Sequence, residues 1–515
     1  WLNIFVYALT GFLLFITLVK YLDQLYIPFF TAVLFMVHPI HTEVAASIKS
    51  LDEMLGLFFF IVSLYCIHKY LNENNLIMII TACISYMLAL MSKESSITFV
   101  AIVPLTIFFF TKAPLSKNIS VTILMTAVAL LFLLIRYSVL KDSNAGPPAV
   151  ADNCLMAASD IATKKASAIY IFGIYLKVLL LPHPLVFDTS VNQIPLVGAG
   201  DWKFLLSLVI YAGLVTYIIF NFKKKDIVSY GLMFFLIAAS LSSNIFMTIG
   251  THYGERLMYA PSLGICLALV AVLSKFINSN SSNESGFSSV TDILKSRPLL
   301  TGIFVLIILA YSAKTFAQNP VWKDNLSLYE HGVKAAPYST RTHYYLGNYI
   351  TKEDYYKELP PAKKEAEIRR GIDELKKSLD IYQFSESYLS LGVIYYRMHK
   401  MDSSMYYYNK AIEVSPYIAT IHNNVGTVYF ETQQYDKALS AFQRAVQLDP
   451  NYAEAYCNLG SAYGTLGQLD NAILNFSKAI QLDPNNAMAN YFKGITLQNK
   501  GDKFGAQPYL EKAAA

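Results

Sequence analysis

With 515 residues, 54% of them hydrophobic and only 15% charged, the chain is more apolar than an average globular protein and reads as membrane-embedded. A net charge of +5, with no basic run longer than Lys223-Lys224-Lys225, gives no support to nucleic-acid binding. The cysteines (Cys66, Cys83, Cys154, Cys266, Cys457) are scattered and form no C-x-x-C pair, so neither a disulfide framework nor a zinc site is implied.

The apolar character is confined to residues 1–318, whereas 319–515 is rich in Lys, Glu, Asp, Asn and Gln and reads as soluble helix. In the first part, runs of spanning length, about 17 to 25 residues, fall at 2–19, 21–38, 54–71, 76–92, 96–111, 119–140, 202–222, 227–249, 257–274 and 298–317, which predicts ten spans. A further candidate, 166–182, is short, follows Lys164-Lys165 and carries Lys177, and is read as interfacial or re-entrant. Without a crossing there, Lys20, Lys69, Lys112, Lys117, Lys223 to Lys225, Lys275, Lys295 and Arg297 share one side, which the positive-inside tendency makes cytoplasmic.

The opposite, extracytoplasmic side then collects His38-Pro39-Ile40-His41-Thr42-Glu43 with Lys49, Asp52 and Glu53, the pair Lys93-Glu94, the loops 141–165 and 183–201, and His252 to Arg256. The soluble module leaves the tenth span on the same side. Ionisable groups at a membrane boundary are costly to keep and are functional candidates for that reason. An interfacial helix after Pro39 would let His41 meet Lys49, or Glu43 meet Asp52, while Asp52 and Glu53 open the next span beside a helix N-terminus. The plainer alternative is that these residues cap helices and wet the interface. His38, His41 and Glu43 do not have H-E-x-x-H spacing, and no metal is expected.

Lys93 and Glu94 either neutralise each other or bring charge to a site. Arg256, flanked by His252, Glu255 and Tyr259, either grips a phosphate with paired hydrogen bonds or marks topology together with Glu255. Arg136 reads as a snorkelling side chain and Asp188 as a possible acid on a loop. No Gly-rich phosphate loop, G-x-S-x-G elbow or Rossmann fingerprint occurs. An enzyme on the outer side lacks soluble nucleotide sugars, which leaves an activated lipid phosphate as donor.

The soluble part is periodic. Gly392, Gly426, Gly460 and Gly494 recur every 34 residues, as do Pro416, Pro450 and Pro484, which is the tetratricopeptide period. Units run 385–418, 419–452, 453–486 and 487–515. Residues 319–384 form a junction in which Trp322 to Pro337 resembles a second repeat helix and Tyr338 to Phe384 a degenerate unit opened by an insertion from Tyr355 to Glu367. Gly, Ala, Tyr and Pro at the repeat positions are packing residues; the concave face of such an array takes an extended peptide or a partner protein.

Four blocks carry a resemblance: His38-Pro39-Ile40-His41-Thr42-Glu43; Ser92-Lys93-Glu94; Tyr175-Leu176-Lys177 through Leu181-Pro182, Asp188 and Ile194-Pro195-Leu196; and Glu255-Arg256-Leu257-Met258-Tyr259-Ala260-Pro261-Ser262. In order, spacing and appended repeats the chain resembles the transmembrane and tetratricopeptide-repeat protein O-mannosyltransferases of the GT-C glycosyltransferase superfamily. The resemblance implies an all-α fold, a polytopic GT-C-like bundle followed by a repeat solenoid, in a bacterial inner membrane or endoplasmic reticulum. It implies transfer of a sugar, mannose by expectation, from a polyprenyl-phosphate carrier to Ser or Thr of a protein, with no cofactor. Arg256 and Lys93 are then candidates for the lipid phosphate, with His38, His41 and Glu43 shaping the pocket and Asp52, Glu53, Glu94, Asp188, His252, Glu255 and Tyr259 in support. The family's catalytic carboxylate belongs to an outer loop between its first and second spans. This chain opens at Trp1 with what matches the second span and stops within a repeat helix, so it reads as truncated at both ends and its base is unassigned. The competing readings are a non-enzymatic membrane-anchored repeat scaffold and a lipid-linked oligosaccharide ligase.

Overall fold

The structure is a computed structural model and describes residues 1–141, 148–277, 298–357 and 359–514; Lys295 and Arg297 of the charge argument lie outside them. Among the described residues there are helices and turns but no strand. The chain divides into two compact units, Trp1–Thr342 and His343–Ala515.

The first unit is built from α1 (Leu2–Leu22), α2 (Tyr26–Val37), the short α3 (Thr42–Ala46), α4 (Leu51–Glu73), α5 (Leu76–Ser92), α6 (Phe99–Phe110), α7 (Leu115–Leu140), α8 (Ile161–Leu180), α9 (Trp202–Asn221), α10 (Ile227–Ala238), α11 (Tyr259–Ile277), α12 (Pro298–Gln318) and α13 (Asn325–Ala335). Each of the ten apolar runs forms a helix. Among the described residues six helices are long and apolar enough to cross a membrane, or seven if Tyr26–Val37 and Pro39–Ala46, bent by 50°, count as one. Polar residues set the ends. Asp160, Asp201 and Asp226 cap α8, α9 and α10 by accepting the backbone N–H groups of Thr163, Lys203 and Ser229. Asp23 and Asn74 end α1 and α4 in the left-handed region, at φ 49° and 53°.

The expectation of ten full spans is not met: Tyr26–Val37, Leu76–Ser92, Phe99–Phe110 and Ile227–Ala238 are each too short by themselves, and the last is the most shortened against its apolar run. The span expected over 227–249 stops at Ala238, and the rest is turn. Asn244, at φ 57°, organises that turn. Its Oδ1 accepts from Ile249 N at 3.0 Å and Asn153 Nδ2 at 3.1 Å, while its own Nδ2 donates to Thr251 O at 3.0 Å. These bonds give the backbone an alternative to the helical ladder, which Ser240, Ser242 and Ser243 do not defend.

Two apolar cores share this unit, one around Phe30, Phe35, Phe60 and Phe304, the other around Phe172, Tyr175, Phe235 and Met258. The segment 38–46 joins them: Ile40 is buried in the second and Val44 in the first. A polar segment riveted at both ends by buried aliphatics has little freedom, and this fixes where its imidazoles and carboxylate point.

The second unit stacks helix pairs: Ser385–Arg397 with Met401–Val414, Ala419–Glu431 with Tyr435–Leu448, Ala453–Thr465 with Leu469–Leu482, and Ala487–Asn499 with Lys503–Ala514. Three of the repeated glycines, Gly392, Gly426 and Gly460, lie where a partner ring lands, and Gly494 lies against Leu510. A Cβ on Gly426 would stand 2.6 Å from the Phe442 ring, and one on Gly460 2.7 Å from that of Phe476. Ahead of them, Thr340–Ile350 and Pro361–Ile381 form the degenerate pair, with the one-turn helix Glu353–Tyr356 between. Gly347 there lies against Gly371 and Leu375.

Candidate functional site

The site lies where segment 38–53 meets Lys93 and the turn Glu255–Met258. Pro39 opens a tight turn, Pro39–His41, whose cap is the His38 ring. His38 Nδ1 accepts the Ile40 N–H at 3.2 Å. That leaves the proton on Nε2, which donates to Leu179 O at 2.9 Å, at the end of α8. His41 is held between Tyr7 Oη and Ser262 Oγ, each 2.8 Å from a ring nitrogen. Since Ser262 Oγ donates to Tyr259 O at 2.6 Å, its oxygen accepts from His41 Nε2. Phe35 and Tyr259 wall the ring at 4.5 and 4.8 Å between centroids. Both imidazoles are 2% exposed and spend both nitrogens within the protein, so they fasten α2 to α8 and α11.

Glu43 is the residue that turns this scaffold into a site. Buried at 5% exposure, it accepts the Arg256 backbone N–H on Oε2 and the Arg256 Nη1 on Oε1, each at 3.2 Å. The Arg256 side chain is 35% exposed. Neighbours fix the turn that carries it: Glu255 Oε1 accepts Val186 N–H at 2.6 Å, and Tyr175 Oη accepts Gly254 N–H at 2.8 Å while its ring stacks on Tyr253 at 4.7 Å. Glu255 and Arg256 therefore have different partners and do not pair with each other.

Lys93 stands in an extended link after α5, with its Nζ 2.7 Å from Asp52 Oδ2 and 2.8 Å from Glu53 Oε1. Gly56, one turn into α4, lets this link come close: a Cβ there would be 2.9 Å from Ser96 Oγ and 3.2 Å from Lys93 Cβ. Burial alone would lower the Lys93 pKa, but the Glu53 and Asp52 carboxylates outweigh it and hold the ammonium above the ordinary lysine value. Glu94 does not neutralise Lys93. It takes a two-pronged bond from Arg136, Nε to Oε1 at 3.1 Å and Nη2 to Oε2 at 2.8 Å, so Arg136 is a partner of Glu94 rather than a snorkelling side chain. The pairings His41 with Lys49 and Glu43 with Asp52 do not form either, because His41 faces inward and Glu43 is taken by Arg256.

Asp188 and His252 belong to a separate polar knot. Asp188 Oδ1 accepts from Ser190 N and Ser339 Oγ at 2.8 and 3.0 Å, and Arg341 lies 3.5 Å from its Oδ2. His252 Nε2 donates to Thr189 O at 2.8 Å. Burial lowers the His252 pKa below its ordinary value in spite of that carbonyl and of Asp188.

Two cations, Arg256 and Lys93, thus stand beside three carboxylates, Glu43, Asp52 and Glu53, of which Glu43 and Glu53 are buried. Lys49 adds a third positive charge felt by Glu43. Carboxylates that hold partly exposed cations fix the direction in which each cation points. Tyr7 was not singled out from sequence, and Tyr175 and Ser262 entered only as members of the family-like blocks, with no role given to either.

Family models described as "Tetratricopeptide repeat" match residues 385–417 and 453–486, and one described as "TPR repeat" matches 426–467. Over 343 residues the chain is 26% identical to Protein O-mannosyl-transferase F38B6.6 of Caenorhabditis elegans, covering 66% of this chain and 46% of the relative. It is 23% identical to Protein O-mannosyl-transferase TMTC4 of Homo sapiens over 354 residues, 61% of this chain and 46% of that one. With Protein O-mannosyl-transferase TMTC1 of Mus musculus the identity is 30% over 207 residues, 38% and 20% of the two chains. The curated relatives of this chain are protein O-mannosyl-transferases. The chain spans less than half the length of each of these O-mannosyl-transferases. Solved structures similar to it include a crystal structure of MamA (27% identity, TM-score 0.28, 30% of this chain and 90% of that one) and YrrB, titled "a TPR protein with an unusual peptide-binding site" (22%, 0.29, 36% and 90%).

Proposed function

We propose that the protein is a membrane glycosyltransferase of the GT-C kind that moves a sugar, mannose by the names of its relatives, from a polyprenyl-phosphate carrier to Ser or Thr of a protein. The observation that carries this is the clamp of Glu43 on Arg256, which presents a partly exposed guanidinium of fixed direction. In this reading a carboxylate takes the proton of the acceptor hydroxyl, the alkoxide attacks the anomeric carbon, and the lipid phosphate departs toward Arg256 and Lys93. No residue is assigned as the base. The reaction takes place on the extracytoplasmic side, and the repeats hold the acceptor or a partner there.

The test uses the full-length protein in detergent with radiolabelled polyprenyl-phosphate mannose and a Ser/Thr-rich acceptor. Label passes to the acceptor, and Arg256→Ala lowers the rate by about 10²- to 10³-fold, the usual cost of losing one preorganised donor to developing charge. Full activity in Arg256→Ala removes this residue from the site. No transfer by the intact protein, with acceptor still retained, favours the scaffold.

A further inference from the structure

A groove of about 620 Å³ runs between α8, α9 and the loop 184–194, apart from the Arg256 cluster but sharing a wall with it through Tyr253. Its floor is apolar, with Ile174, Val178, Leu206 and Ile210 among its residues. Its charged residues are Lys177 and Lys203; no carboxylate lines it. Lys203 Nζ lies 5.7 Å over the Tyr170 ring, and the nearby Asp201 carboxylate is engaged with the Lys203 backbone N–H. Lys177 is exposed.

We propose that this groove binds an anionic phospholipid of the surrounding bilayer, its phosphate near the lysines and an acyl chain along the apolar floor. Charge complementarity selects the anion, since the lining carries two ammonium groups and no negative one. Access selects the bilayer as its source. Of the apolar stretch of α9 only 11% is buried, and Trp202, Leu206 and Ile210 on the groove side are exposed, so lipids in bulk reach it before a scarce carrier does. The inference rests on reading α9 as a membrane span, not on the sugar-transfer reaction.

The experiment uses Trp202 as reporter. The full chain carrying Trp1→Phe and Trp322→Phe is placed in phosphatidylcholine nanodiscs, and brominated phosphatidylglycerol or brominated phosphatidylcholine is titrated in. Half-quenching of Trp202 is expected at a mole fraction of phosphatidylglycerol about fivefold lower per contributing lysine. Lys177→Gln with Lys203→Gln removes the preference, and Lys177→Arg with Lys203→Arg keeps it. Equal quenching by the two lipids overturns the proposal. So does displacement of brominated phosphatidylglycerol by inorganic phosphate, which marks a soluble-anion site, or by trace polyprenyl phosphate, which marks a carrier site. If the double Gln variant fails to insert, salt tests the same charge in the unmodified lysines: a preference unchanged between about 50 and about 500 mM also overturns it.

Discussion

At the residue scale the decisive contacts are those between groups far apart in sequence. Glu43 and Arg256 are 213 residues apart, and Lys93 is 41 from Asp52. The polar residues themselves were legible, since each interrupts an apolar run, but their partners were not, because a single sequence does not say which boundary segments meet. Arg136 and Glu94 make the same point. Glu43→Gln should lower stability by about 1–3 kcal/mol, as it leaves a partly buried guanidinium without its counter-charge, and should slow transfer while leaving acceptor binding intact; thermal unfolding and single-turnover rates check both. His252 gives a pH dependence of definite sign. Its folded pKa lies below the ordinary 6.5, so the unfolded state binds the proton more tightly. The contribution is therefore complete above about pH 6.5 and is lost as pH falls below it. Melting temperature should drop on acidification through that range, and His252→Gln should flatten the curve there.

At the scale of elements, apolar length placed a helix in each of the ten apolar runs and the 34-residue period marked the repeat helices, because both signals are local. What they missed is where polar side chains compete with the helix, as Asn244 does after Ala238. The α10–α11 contact was equally invisible. Gly231 and Gly264 lie backbone to backbone: a Cβ on Gly231 would be 2.6 Å from Gly264 O, and one on Gly264 would be 2.6 Å from Phe235 N. Backbone atoms cannot turn aside as a side chain can. Gly264→Leu should thus force the two helices apart and cost about 3 kcal/mol or more, read as loss of a monodisperse detergent peak, whereas Gly302→Leu, where no atom lies within 4 Å of the new Cβ, should be neutral.

For the whole molecule, the two compact units differ in how they hold together. The repeat unit has its own apolar clusters, each made by adjacent helix pairs, so a fragment 343–515 should fold without the membrane unit, with a helical circular-dichroism spectrum and a reversible melt; a random-coil spectrum would refute this. Such an array gains stability from neighbour to neighbour. The membrane unit does not. Its Glu43–Arg256 clamp closes only after 213 further residues have been made, roughly 10 to 40 s at ordinary rates of synthesis. Through that interval Glu43 waits at the membrane boundary without its counter-ion. The nascent chain must then keep this carboxylate in water or protonated until Arg256 emerges. Biogenesis of the protein therefore has a timer written into its contact map, and a ribosome stalled between the two residues would expose a half-built, acid-sensitive intermediate.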